Sequence, residues 1–357
     1  MTRRVRGAFA VVLAAWGCAV TLQAGLTAGA DAPPVVAPVP DLAPARLAET
    51  GLYVDGQAGA IDARNQPFTP QYVLWTDGLE KQRWVYLPPG EAIDATDEHA
   101  WEFPVGTRFW KQFSRQGRPV ETRFSWRTAS GWVFASYMWN EDGTDARRAD
   151  EAGVPGVIEV APGRGHSIPS QTDCTACHGT ERPSPLGFTA LQLSSDRDPH
   201  AVHGEAVTPG MVTLDTLVAE GRLPGARADL LTRPPRIRAS DPETRAVLGY
   251  LASNCGACHN GRGEIAAFGP TIREADLVVD GDAVARALVG QRTKWQIPGV
   301  PDGESVLVAP GDPDASAVLV RMRSRRPSSQ MPPLGTVVRD EAAVDLVTRW
   351  IARGRVP

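Results

Sequence analysis

Four cysteines and two histidines of this chain stand in two copies of one short pattern, Cys174-Thr175-Ala176-Cys177-His178 and Cys255-Gly256-Ala257-Cys258-His259. Two residues between the thiols let one helical turn set both sulfurs along a porphyrin edge, and the next residue brings an imidazole over the metal. In this pattern the thiols add to the two vinyl groups of haem, and the adjacent histidine becomes the proximal iron ligand. The spacing therefore predicts two covalently bound haem c groups, one held by Cys174, Cys177 and His178, the other by Cys255, Cys258 and His259. A four-cysteine zinc site, a redox-active dithiol or two structural disulfides would use the sulfurs and leave both histidines unexplained.

The second motif has a helical setting. Ser240-Asp241-Pro242-Glu243 reads as a helix start with proline in the first turn, and Val247, Leu248, Leu251 and Cys255 follow on one face. Another helix is predicted over 340–353, with the apolar stripe Ala343, Val344, Val347, Trp350 and Ile351, basic Arg349 and Arg353 late, and Gly354 as its stop. Between them, Gln330-Met331-Pro332-Pro333-Leu334-Gly335 holds Met331 in a loop whose prolines block helix. The stretches LGYLASNCGACHN, QMPPLGT and TRWIARG resemble a class I cytochrome c domain. That resemblance implies Met331 as the distal iron ligand, and thioether ligation raises the reduction potential relative to two imidazoles. Met322, on a predicted helix over 314–323 with Val318 and Leu319, reads as core.

Ile168-Pro169-Ser170-Gln171-Thr172-Asp173 precedes the first motif in place of a long apolar helix, so its distal ligand is open. Met211 ranks first, because it precedes the helix-like run 213–223 much as Met331 precedes its own helix. His200, His203, His166 and Met138 are rivals, and an empty position is the remaining choice. An open iron site admits peroxide or oxygen, whereas a filled one favours plain electron transfer.

Period-two alternation runs through 72–160. The segments 120–126 and 132–139 flank a Ser-Gly turn and predict a β-hairpin, and further strands are predicted over 83–87, 107–113 and 156–160. The arrangement expected of them is a small sandwich or curled sheet. Trp75, Trp84, Trp101, Trp110, Trp126, Trp132 and Trp139 all fall here, and they read as core filling in preference to an aromatic platform for a sugar. Asp77, Glu80, Glu121, Asp142 and Asp145 lie among them at spacings that fix no catalytic pair. The run 140–145 reads as a turn, since a calcium loop needs further ligands and a final bidentate glutamate.

At the amino terminus, Arg3, Arg4 and Arg6 precede an apolar run over 8–22 and then Ala28-Gly29-Ala30, which predicts an export signal cleaved after Ala30 with Cys18 inside it. That run is short for a membrane span of about 20 residues. The expected location is the periplasm, with no span in the mature chain. The expected divisions are 1–30 signal peptide, 31–49 Pro/Ala-rich tether, 50–165 aromatic β-rich domain, 166–239 first haem module and 240–357 second haem module. The fold class expected is α+β multidomain: an N-terminal β-rich, sandwich-like domain followed by two mainly α-helical cytochrome c modules. A net charge of -4 leaves no basic footprint for nucleic acid. The order of a β-rich region, IPSQTDCTACHG and a module containing MPP resembles exported bacterial dihaem cytochromes over 50–357. That resemblance implies electron transfer to or from a partner redox protein. The alternatives are a peroxidase-like dihaem oxidoreductase with an open first haem, and an accessory subunit that binds a ligand through its β domain.

Overall fold

In the computed structural model, which describes residues 42–178, 185–262 and 269–355, six strands pair in sequence order. They are β1 (Gln66–Pro67), β2 (Glu80–Tyr86), β3 (Arg108–Arg115), β4 (Arg118–Thr128), β5 (Gly131–Trp139) and β6 (Ala146–Arg148), antiparallel throughout. The β4–β5 hairpin closes where Thr128 pairs with Gly131 around Ala129 and Ser130. A separate two-stranded ribbon is formed by β7 (Val154–Ala161) and β8 (Arg164–Ile168). Side chains alternate between faces along a strand, and the register turns that alternation into two cores. Trp84, Trp110, Phe124 and Ala135 align across β2 to β5 and pack with Leu47, Leu52 and Tyr53 from the segment before β1. On the other face Val85 and Phe109 pack with Phe188, Leu193, Leu214, Leu217 and Leu223 from far along the chain. Burial on both faces accounts for the density of aromatic residues; Trp84, Trp101 and Trp110 are buried.

The described helices are α1 (Gln171–His178), α2 (Leu214–Ala219), α3 (Pro242–Asn254), α4 (Glu274–Leu288), α5 (Ala317–Arg323) and α6 (Glu341–Ala352). Asp241 starts α3 by accepting from the Thr244 N–H at 3.0 Å, with Pro242 in the first helical position, where its missing N–H costs nothing. Asp340 starts α6 in the same way, accepting from the Ala343 N–H at 3.1 Å. The two helices pack through Val247, Leu248, Leu251, Val347 and Ile351, and through Trp350, whose indole N–H donates to Thr244 Oγ1 at 3.0 Å. Gly249 sits inside α3, where glycine costs about 0.5–1 kcal/mol relative to alanine. Its reason is Tyr72: a Cβ at Gly249 would fall 2.0 Å from that ring, so the glycine lets the chain before β2 lie directly on α3.

The expected β-rich sandwich followed by two mainly α-helical cytochrome c modules is corrected by this architecture. The described residues form six short helices, one six-stranded antiparallel sheet and the two-stranded ribbon. The physical reason lies in 185–233. That stretch holds only α2, and its apolar residues Phe188, Leu193, Leu214, Leu217, Leu223 and Leu230 complete the core on one face of the sheet. A sheet with two apolar faces needs cover on both, and this segment supplies one of them. The described residues form one unit by their contacts. The expected signal peptide and most of the tether, residues 1–41, lie outside the described residues. Among the described residues no helix is long and apolar enough to cross a membrane.

Candidate functional site

The first motif occupies α1, a helix of eight residues with none buried. Its start is a reciprocal cap in which Ser170 Oγ accepts from the Asp173 N–H at 3.1 Å and the Asp173 carboxylate accepts from the Ser170 N–H at 2.9 Å. The sheet holds the rest. The His178 ring stacks on Phe134 of β5 with centroids 4.6 Å apart. Burial pushes the Cys174 thiol up against the opposing charge of Arg123 on β4.

The second motif continues from α3. The Cys255 N–H donates to the Leu251 carbonyl at 2.8 Å, and the Cys258 and His259 N–H groups donate to the Cys255 carbonyl at 3.1 and 2.8 Å, so the motif adds one further turn. Burial pushes the Cys255 thiol up to about 12. His259 Nδ1 is buried with no hydrogen-bond partner among the described residues. Gly269 is packed so closely that a Cβ there would lie 2.3 Å from that nitrogen. Burial, joined by the charge of Arg321, lowers the imidazole below its ordinary value. The Arg321 carbonyl also accepts from the Met331 N–H at 3.0 Å, so the residue whose charge acts on His259 is bonded to Met331.

The two motifs meet. The Cys177 and Cys258 thiols lie close enough to influence each other, which raises the first and lowers the second, and Cys258 Sγ donates to the Ala176 carbonyl oxygen at 3.8 Å. Cys177 and His178 from one motif and Gly256 and Ala257 from the other line a single cavity of about 580 Å³, within the range of pockets that take organic ligands. All four thiols are free. Among the described residues no group of three or more His, Cys, Asp or Glu is arranged to hold a bare metal ion. The donor set is of the kind that attaches haem, four free thiols in two Cys-x-x-Cys pairs, each followed by an imidazole; the orphaned His259 Nδ1 faces Gly269, and its lack of a partner costs about 1–3 kcal/mol.

One arrangement beside the site was not legible from spacing. His166, on β8 just before α1, is fully buried; its Nδ1 lies 2.8 Å from Asp77 and its Nε2 3.1 Å from Glu121. Glu121 in turn accepts two hydrogen bonds from Arg123, at 2.8 and 3.2 Å. The second Asp77 oxygen accepts from Thr336 Oγ1 at 3.0 Å and from the Val337 and Val338 N–H groups at 2.6 and 3.0 Å, which ties down the loop that follows Met331. Burial works to raise Glu121, but Arg123 and His166 outweigh it and hold the carboxyl down at about 2. Asp77 is likewise lowered against its burial by His166 and the Val337 and Val338 N–H groups. Burial opposes a charged His166, yet the two carboxylates prevail and raise it. The signal that could have found this cluster is strand register, which places Glu121 opposite Phe113.

Both ring nitrogens of His166 are engaged by carboxylates. His203 is bonded through Nε2 to Asp340 at 2.9 Å and stacks on Trp75 at 5.0 Å, and the His200 backbone N–H donates to Asp198 at 2.9 Å. Met138 is exposed and Met322 is buried in the helical core. Met211 Sδ accepts from the Thr208 N–H at 3.5 Å and is not on the cavity wall. Met331 is half-buried. No family model matches the chain, and neither a curated protein nor a solved structure matches it.

Proposed function

We propose that this chain is a periplasmic dihaem c-type electron-transfer protein that exchanges electrons with a partner redox protein. The observation that carries the reading is the meeting of the two CxxCH segments at one cavity with all four thiols free. Cys174 and Cys177 would hold one haem through thioether bonds and Cys255 and Cys258 the other; His178 and His259 would each supply an imidazole nitrogen to an iron, and Met331 would supply a thioether sulfur to the haem held at Cys255 and Cys258. Each bound haem supplies one-electron exchange at its iron, and a thioether ligand raises the potential. The chain itself sets the geometry. Phe134 holds the His178 ring, Arg321 adjoins both His259 and Met331, and Asp77 fixes the loop after Met331 by three hydrogen bonds. Because the motifs adjoin, one electron path can run through both groups.

The Cys177–Cys258 contact favours one second reading, a disulfide joining the two motifs in a haem-free chain. The mass and reduced-minus-oxidised spectrum of the chain purified from a haem-attaching, exporting host separate the two. The proposal expects two covalent haems, both low-spin, with Met331→Ala altering one alone and lowering its potential. A chain lighter by two hydrogens and without haem establishes the disulfide. A high-spin band persisting at neutral pH overturns the carrier in favour of peroxide or oxygen chemistry.

A further inference from the structure

The register of the sheet sets cations side by side. Arg83, Lys111 and Arg123 stand directly opposite one another on β2, β3 and β4, and Lys81 lies two residues before Arg83 on the same face. Like charges opposite one another destabilise a sheet, so the row calls for counter-charge. Two members have it: Arg83 is bonded to Glu205 at 2.7 and 3.3 Å, and Arg123 to Glu121. Lys111 has no hydrogen bond or ion pair among the described residues and only faces the Phe113 ring at 5.1 Å. Burial first, and then Arg83, Lys81 and Arg123, lower its ammonium well below the ordinary lysine value.

Two more polar groups lining the same cavity have no partner among the described residues. Trp101 is 6% exposed and its Nε1–H has no acceptor, and His99 Nδ1 is buried without a partner. Both line the cavity with Lys111, Cys177 and His178. An indole N–H can only donate, so what completes it is an acceptor, and on the cavity lining the guanidinium groups of Arg83, Arg127, Arg262 and Arg273 outnumber the carboxylates of Asp97, Glu102 and Glu274, which favours an anion that would also stabilise the charged form of Lys111. The cavity is also lined by Asp97, Glu102 and Glu274, the last bonded to Thr189 at 2.7 Å and Gln192 at 2.8 Å.

We propose that this wall is a binding site for a carboxylate or comparable small oxyanion, held by Lys111, Trp101 and His99 beside the first CxxCH segment. Two sources carry that chemistry: a propionate of the haem attached at Cys174 and Cys177, or a free oxyanion entering the cavity. Only the first rests on the haem reading given above.

The full chain and its Lys111→Met, Lys111→Arg and Trp101→Phe variants are titrated calorimetrically with inorganic phosphate and with acetate, and their midpoint potentials are measured. A free-oxyanion site gives saturable binding that weakens about tenfold or more in Lys111→Met and is kept in Lys111→Arg. A propionate site gives no anion binding but lowers the potential of one haem in Lys111→Met, since a lost positive charge favours oxidised iron; Lys111→Arg restores it. Trp101→Phe, which keeps the packing and removes one donor, moves the same readout in the same direction. Absence of anion binding together with unchanged potentials in every variant overturns the proposal. If no haem attaches, the dihaem reading fails by mass, and the anion titration of the haem-free chain decides this site by itself: saturable binding lost in Lys111→Met supports it, and no binding overturns it.

Discussion

The second motif closes a thirteen-residue helix with nine buried positions, whereas the first sits on an eight-residue helix with none. Around the second, support is apolar: α3 and α6 interlock through Val247, Leu251, Val347 and Trp350, and Cys255 packs on that core. Around the first, support comes from a sheet bearing Arg123, Glu121 and Phe134, with the buried His166 cluster on the strand that leads into α1. One chemical pattern can therefore be held by hydrophobic burial or by a charged network, and the two kinds of support respond differently to their surroundings. Apolar packing carries no titratable group. A carboxylate–imidazole–carboxylate cluster carries three.

The sharpest test of that contrast is a pair of substitutions with similar cost and different pH dependence. Trp350→Ala removes a fully buried indole and its bond to Thr244, and is expected to destabilise by about 3–5 kcal/mol. Measured by urea denaturation, that loss should stay level from acid to neutral pH. His166→Ala leaves Asp77 and Glu121 buried without their shared partner, at a comparable about 3–5 kcal/mol. Here the pH course should change. The contribution of His166 is complete below its unfolded value of about 6.5 and is lost as pH rises through its raised folded value. The contribution of Asp77 and Glu121 is complete above their unfolded values of about 4 and is lost as pH falls through the lowered folded ones. The wild-type cluster thus contributes most between roughly pH 4.5 and 6.5, and His166→Ala should flatten the decline on the alkaline side. A Trp350→Ala penalty that varied with pH as strongly as the His166→Ala penalty would erase the contrast.

The same difference explains what could be read in advance. The helix start at Asp241-Pro242, the stripe ending at Ile351 and the hairpin around Ser130-Gly131 are local signals, because capping, helical period and strand alternation are each set within a few residues. The packing of Phe188 and Leu214 onto the sheet is not local. Leucines that cover a sheet and leucines that fill a helical module look alike in sequence, so the expectation of a helical first module had no local signal to correct it. The site divides along the same line. The CxxCH pairs announce themselves by spacing, whereas their meeting, the Asp77–His166–Glu121 cluster and the row of cations at Lys111 depend on long-range pairing of strands and loops. Asp77 and Glu121 stood out only as carboxylates among aromatics, because no spacing along the chain reveals the imidazole between them.

The smallest effects should separate the two motifs at the level of single hydrogen bonds. Asp241→Ala removes the acceptor for the Thr244 N–H at the start of α3 and also the partner of Arg353, and is expected to cost about 1 kcal/mol. Thr175 lies inside the first motif, but its hydroxyl is on an exposed turn and donates only to the Thr172 and Gln171 carbonyls. Thr175→Ala should therefore change stability by no more than about 0.5 kcal/mol. Urea denaturation of both variants beside the wild type decides the matter. A Thr175→Ala loss as large as that of Asp241→Ala would mean that α1 carries its own weight in the fold, contrary to a first motif held in place by the sheet.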